Sequence, residues 1–534
     1  MGIEPCSLRD SKAILIWKKS DWRMSHNAKQ QVSFSSSLEE NMEVVKRELG
    51  NSTDLVTRTV RMEAIGQIEV GILYTEGLVD KSLISNFMES LMVHAHKREI
   101  PSDDALADEP LSLIKDFMLT MGGVELLDDL DELFNAVLTG DTVLLVEGCT
   151  QGFIVNTKQW EDRGVQETSV QTVVRGSREA FSESLRTNTA LVRRRINNRH
   201  LWLETKQIGK MTQTKVSVMY IKGVADENVI AEVQRRLNRI DIDGILESGN
   251  IEELIQDAAF TPFPTIYNTE RPDSVAAGLL EGRVAILVDG TPIVLLVPAI
   301  FVQFFQSPED YYQRSDFGLL RMLRLLSFFI ALLGPSIYVA ITTFHQEMLQ
   351  TNLLMSIAAQ REGVPFPAAV EAMLMELTFE LLREAGVRMP RAVGSAISIV
   401  GALVLGEAAV QAGLVSPATV IVVSITAITS FVFPSFSMSI PIRMLRFGLI
   451  ALAASFGLIG VFVGLIALCL HLCTLRSFGV PYMSPLAPLN LADQRDTLLR
   501  LPIWMMHTRP YFLRPKNSIR EHDNKPNPPR ESVH

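Results

Sequence analysis

RVAILVDGTPIVLLVP, residues 283–298, is apolar at almost every position, and apolar residues continue to Phe305. As one helix it would begin a membrane span; as two strands it would fold back before the lipid. Asp289-Gly290 and Pro292 decide between these readings. The five-residue runs VAILV and IVLLV flank DGTP, and Asp-Gly between β-rich runs is a strong hairpin signal. A helix would instead bury Asp289, lose a backbone hydrogen bond at Pro292 and meet Pro298 one turn after Leu295. The stretch therefore reads as a hairpin. Pro298 then opens a short apolar helix, AIFVQFF, expected to lie along the membrane face.

Outward from the hairpin, the chain divides into two halves of different character. Of its 534 residues only 21% are charged, and the net charge is -10. The mean hydropathy of +0.19 comes from an uneven distribution. Charges punctuate the chain up to about residue 280, whereas long stretches of 325–475 have none. A soluble half thus precedes a membrane half, and the acidic balance gives no reason to expect nucleic acid as a partner. Four cysteines do not make a disulfide framework. The first thirty residues hold no apolar run long enough for a secretory signal, so the front half is expected to stay cytoplasmic.

Residues 325–344 are uncharged and match the hydrocarbon thickness, with Gly334-Pro335 as a kink. Arg314, Arg321 and Arg324 precede this segment and place the preceding region on the cytoplasmic side. Further spans are expected at 392–412, 418–438 and 447–475. Residues 366–384 carry Glu376, Glu380 and Glu384 every fourth residue beside an apolar face. Such a helix suits the membrane interface or the wall of a wet cavity, and Glu371, Glu376 and Glu380 are its candidate acids. If it crosses, the spans number five rather than four.

In the front half, Ser37 and Glu40 have capping-box spacing and Gly50 ends that helix. LVTRTVRM and IEVGILYT read as strands, DKSLISNFMESLMV as a helix, and 142–156 as a second hairpin. KVSVMYIKG is a strand leading into the helix of DENVIAEVQRRLNRID. The fold class is therefore an α/β N-terminal region of two subdomains followed by an all-α polytopic membrane domain of four to five spans. The boundaries are a disordered extension 1–36, subdomains 37–155 and 156–282, and a hairpin and membrane-surface linker 283–316. The membrane domain is 317–475, and a basic, partly disordered tail follows at 476–534. No internal repeat is evident. Nucleotide-loop, hydrolase and metalloprotease signatures are absent, so neither catalysis, a metal nor a cofactor is expected.

Two blocks carry a family likeness. PFPTIYNTERPDSVAAGLLEGRVAILVDGTPIVLLVPAIFVQFFQSPEDYY (262–312) and NLLMSIAAQREGVPFPAAVEAMLMELTFELLREAGVRMPRAVGSAISIVGALVLGEAAVQAGLVSP (352–417) resemble the GerA family of spore germinant receptor A subunits. The likeness runs from about 35 to 510. It implies residence in the inner spore membrane with the N-terminal region in the spore core, and a complex with a transporter-like B subunit and a lipoprotein C subunit. It also implies a nutrient trigger and a homo-oligomeric ring, a pentamer, that passes monovalent cations. A relative acting downstream of the receptors shares the pattern. The family commonly has Gln where this chain has Glu407.

If the chain lines a pore, the segment 392–412 is the candidate. Ile397, Val400, Val404, Glu407 and Gln411 alternate three and four apart on one stripe, while small residues mark another face. The apolar positions would close a pore by dewetting and a ring of Glu407 would attract cations. The alternative is a lipid-facing stripe. A secondary transporter with helices broken at Pro335, Pro434 and Pro441, and a scaffold for the B subunit, are the rival functions.

Overall fold

The computed structural model describes residues 34–62, 68–95, 123–159, 171, 173, 175–312, 318–388, 406–491, 493–497, 500–520 and 525. The chain separates into two compact units, 1–161 with 197–199, and 162–196 with 200–534.

The first unit opens with α1 (Leu38–Glu48), whose N-cap Ser37 accepts from the Glu40 amide. Only half of a capping box forms, because the Glu40 carboxylate takes the Ser35 hydroxyl at 2.6 Å instead. There follow β1 (Leu55–Met62), β2 (Ile68–Thr75), α2 (Lys81–Ala95), β3 (Val124–Leu127), α3 (Leu130–Thr139), β4 (Thr142–Val146) and β5 (Gly152–Val155). The sheet order is β1-β2-β4-β5-β3, antiparallel throughout.

The second unit begins with α4 (Leu185–Arg195), β6 (Leu201–Ile208), β7 (Thr214–Ile221), α5 (Glu227–Asn238), α6 (Ser248–Ile255) and β8 (Tyr267–Thr269). It continues with α7 (Pro272–Glu281), β9 (Val284–Val288) and β10 (Val294–Val297). The stretch 283–298 is indeed a hairpin, with Leu295 opposite Ile286 and Gly290 at φ 90° in the turn. It is also more than a linker. In the order β6-β7-β9-β10-β8, both of its strands lie inside a five-stranded sheet.

The two sheets have the same strand order, shifted by five, which contradicts the expectation that the chain has no internal repeat. The matching runs deeper than topology. Phe34-Ser35, Ser37-Leu38 and Asn41 recur as Phe181-Ser182, Ser184-Leu185 and Asn188. Asn41 Nδ2 donates to Ser35 O at 2.7 Å, and Asn188 Nδ2 to Ser182 O at 2.6 Å. The Leu38 amide donates to Glu147, the Leu185 amide to Asp289, each an acid just after a sheet strand and just before a glycine. Asp289 thus has a second duty: its charge sits at the N-terminus of α4, where the helix dipole favours it.

After β10, residues Phe301–Phe305 form a single 3-10 turn, and every one of them is buried. This corrects the expected membrane-surface helix. Phe301 and Phe305 meet Phe328 with ring centroids 5.6 and 5.4 Å apart, so the segment is core, wedged between sheet and helices. The helical part comprises α8 (Glu309–Tyr312), α9 (Gly318–Thr343), α10 (Thr351–Arg361), α11 (Ala368–Arg388), α12 (Pro417–Ser430) and α13 (Phe436–Thr474). Among the described residues, α9 and α13 are long and apolar enough to cross a membrane, and α12 is a shorter apolar helix.

The expected spans at 418–438 and 447–475 are replaced by a different arrangement. Helix α12 stops at Ser430, and Pro434 and the Ser435 N-cap restart the chain as α13. Gly457 then breaks α13 with φ 62° and ψ -144°. In a straight helix Leu449 and Gly464 would be about 22 Å apart, yet a Cβ on Gly464 would stand 2.7 Å from Leu449 Cδ2. Helix α13 is therefore a hairpin with legs 436–456 and 458–474, turning at Gly457 beside Phe344 and His345.

Beyond the hairpin the chain returns to the second sheet. The short strands β11 (Arg476–Ser477) and β12 (Val480–Pro481) pair, and Ser477 and Tyr482 are fully buried. Ser477 Oγ donates to Thr265 O at 2.6 Å and accepts from the Ala299 amide at 2.9 Å. The segment expected to begin a loose basic tail at 476 is in this part a strap across the sheet. The disordered extension expected at 1–36 lies outside the described residues up to 33.

Candidate functional site

The helical part holds a stack of charges between α11 and the first leg of α13. Glu376, which is 2% exposed, pairs with Arg446, which is 1% exposed, through Oε2 and Nη1. Four residues on, Glu380 takes Arg443 Nη1 at 2.7 Å and Arg383 Nη1 at 3.2 Å. Arg383 also donates to Ser430 Oγ at the end of α12, at 2.9 Å. The i,i+4 acids of one helix thus face the i,i+3 arginines of an antiparallel neighbour. Toward the other end of α11, Glu371 is wholly buried and accepts from the Ser416 amide at 2.9 Å and Thr419 Oγ1 at 3.0 Å. It caps α12 from outside, with Arg361 Nε 3.3 Å from its second oxygen.

These bonds fix the direction of each helix. Glu371 lies level with Tyr338 near the end of α9, through Thr419 at 3.3 Å. Arg383 lies level with Ser430, beyond which Phe433 meets Phe305 at 6.1 Å. Helices α11 and α12 both run toward the sheet, opposite to α9.

A second cluster joins sheet and helices. Asp310, 2% exposed, accepts through Oδ2 from Arg321 Nε at 3.2 Å and Arg324 Nη1 at 3.0 Å. Arg324 also reaches Phe305 O at 3.2 Å. Arg321 extends to Asp496 Oδ1 and Thr497 O, at 3.1 and 3.2 Å. Four segments, the turn after β10, α8, the first turns of α9 and the C-terminal strap, are thereby pinned together. Beside the pin is a cleft with an empty volume of about 610 Å3, lined by Glu281, Arg283, Gln306, Asp493 and Asp496 among others. Burial pushes the Asp493 and Asp496 carboxyls above the usual range. A single apolar core continues past the pin, from Leu296 and Phe304 through Phe328 and Leu332 to Leu449 and Leu475.

Of the residues singled out from sequence, Glu376 and Glu380 face the arginines of α13, whereas Glu371 lies on another side of α11 and meets Arg361 and the start of α12. Glu407 and Gln411 lie on the helical turn 406–411, both exposed, joined by a 3.1 Å hydrogen bond. Ile397, Val400 and Val404 lie outside the described residues. Sequence reasoning missed Asp310, Asp496 and Arg361, and took Arg443 and Arg446 only as residues preceding the last span. Arg321 and Arg324 entered it only as a charge bias flanking a span, whereas both are buried ion-pair partners. Two acids about one helical turn apart and two arginines about one turn apart, each in an apolar helix, were the available signal.

Comparison with known proteins matches residues 43–512 to the Bacillus/Clostridium GerA spore germination protein family. Spore germination protein KA of Bacillus subtilis (strain 168) is 49% identical over 500 residues, covering 93% of this chain and 90% of that protein. Spore germination protein GerLA of Bacillus cereus is 38% identical over 496 residues, covering 92% and 99%. The crystal structure of the N-terminal domain of the A subunit of the Bacillus megaterium spore germinant receptor GerK3 is 41% identical in sequence. It covers 52% of this chain and all of that one, with a TM-score of 0.41.

Proposed function

This chain belongs to the GerA family of spore germination proteins, the germinant receptor A subunits, and on that premise we propose that it is the gated, ion-conducting subunit of such a receptor. In this reading it sits in the inner spore membrane with both sheets on the core side. Copies of it form a ring, a pentamer, around a shared path for monovalent cations. A transporter-like B subunit and a lipoprotein C subunit complete the complex, and nutrient binding triggers opening.

The supporting observation is the unbroken join between the second sheet and the apolar helices. One hydrophobic core runs through both, and the Asp310 pin holds α9 to the sheet and the strap. A displacement of that sheet cannot leave the helices where they were. Direction supports a revised count of crossings. Helix α9 leaves the sheet, α11 and α12 return to it, and the hairpin leaves and returns. Taken with the span expected at 392–412 from the sequence, the crossings would number six in place of four or five. An even number leaves strap and sheets on one side.

That additional pass contains Ile397, Val400, Val404, Glu407 and Gln411, the proposed pore stripe. Glu407 is exposed in the single chain, as a residue at a shared conduit must be. Val404→Ala is expected to loosen the closed state and give cation leak without a nutrient. Normal ion retention in resting spores carrying this variant would remove the stripe as the gate.

A further inference from the structure

Both feet of the α13 hairpin are held by one segment of the second sheet subdomain, the loop from Thr261 and the strand β8 that follows it. At the first foot, Asn268 Nδ2 donates to Ser437 Oγ at 3.1 Å. At the second, Thr261 Oγ1 and His471 Nε2 are 3.0 Å apart, with the His471 and Phe263 rings 6.3 Å centroid to centroid. The segment is itself anchored on the sheet side: Ser477 Oγ donates to Thr265 O between the two contacts, and Asn268 pairs with Leu295 in the sheet. The hairpin's opposite end turns at Gly457, where no side chain fits: a Cβ there would lie 2.8 Å from His345 Cε1.

We propose that Thr261 and Asn268 are positioning residues through which the second sheet subdomain moves the hairpin about Gly457. The two kinds of junction divide the labour. The Asp310 contacts to α9 are buried and charged, so they hold through a conformational change. The contacts of Thr261 and Asn268 are half-exposed hydrogen bonds outside any ion pair, which exchange with water at small cost and can be remade in a second geometry. Helix α9 thus travels with the sheet, while the hairpin, tied to α11 by the Glu376–Arg446 and Glu380–Arg443 pairs, can shift against both. The inference rests on the gated-channel reading for its functional consequence, and on geometry alone for the mechanical link.

The test is the full-length Thr261→Val, Asn268→Ala double variant in the intact receptor. Nutrient-triggered cation release is expected to slow about tenfold, the scale of two lost side-chain hydrogen bonds, with protein abundance and resting ion retention as in the parent. Thr261→Ser with Asn268 intact restores the parental rate, because it keeps the hydroxyl. Ser437→Ala, made from the hairpin side, slows release in the same sense without touching the loop. Amide exchange of the purified variant is expected to rise at 436–440 and 470–474 and to stay unchanged in β7 and β9. Release at the parental rate with unchanged exchange at both feet would overturn the proposal. Faster exchange at the feet in a protein that conducts no ions would retain the mechanical link and reject the channel.

Discussion

At the scale of single residues, the helical part is organised by charges that lipid would not tolerate unpaired. Glu376 and Arg446 are almost wholly buried, so removing one partner strands the other. Glu376→Ala or Arg446→Ala alone is expected to cost about 3–5 kcal/mol, whereas replacing both by methionine costs less than either. Unfolding of the purified variants in detergent measures this; a double variant as unstable as the sum of the singles would contradict it. The acidic stripe was legible in sequence as spacing every fourth residue. Its partners were not, because Arg443 and Arg446 are sixty to seventy positions away and read locally as mere span flanks. Asp289 was likewise legible as a turn residue and illegible as a helix cap, since its target amide, Leu185, is distant in sequence.

Secondary-structure elements show a similar division. The strands and the amphipathic helices of the front half follow from alternation and capping signals, and the hairpin of 283–298 from Asp-Gly and proline chemistry. The α13 hairpin escaped because apolar composition has no period in lipid-facing helices, and a lone glycine is ordinary there. Its backbone is not: φ 62° with ψ -144° suits glycine, and a Cβ would collide with His345. Gly457→Ala is expected to destabilise the hairpin by about 1–3 kcal/mol, read as a lowered melting temperature with the sheet signals intact. An unchanged melting temperature would mean that the turn is elsewhere. In the sheet subdomain, burial raises the Glu252 carboxyl of α6 above its ordinary 4.5. The folded form therefore takes up a proton before the unfolded one as pH falls. Amide protection of α6 is expected to increase on acidification through the raised value and to level off below 4.5, and a steady loss across that window would contradict the assignment.

For the whole molecule, the division into a polar front and an apolar rear was legible from charge distribution alone. The duplication of the sheet subdomain and the return of the C-terminal strap were not, because both depend on pairing between remote segments. The strap carries a topological consequence. Residues beyond 476 pack on the same sheet that precedes α9, so probes at both places must react on one side of the membrane. A cysteine in place of Arg514 and one in place of Lys210 are expected to resist an impermeant thiol reagent together, or to react together. The most direct test of the central claim, that copies of this chain enclose a gated cation path, is planar-bilayer recording of the purified full-length protein. The account predicts unitary steps whose reversal potential follows the monovalent cation gradient, with cation preference reduced by Glu407→Gln. Silent bilayers in which particle images show inserted, well-folded monomers would contradict it.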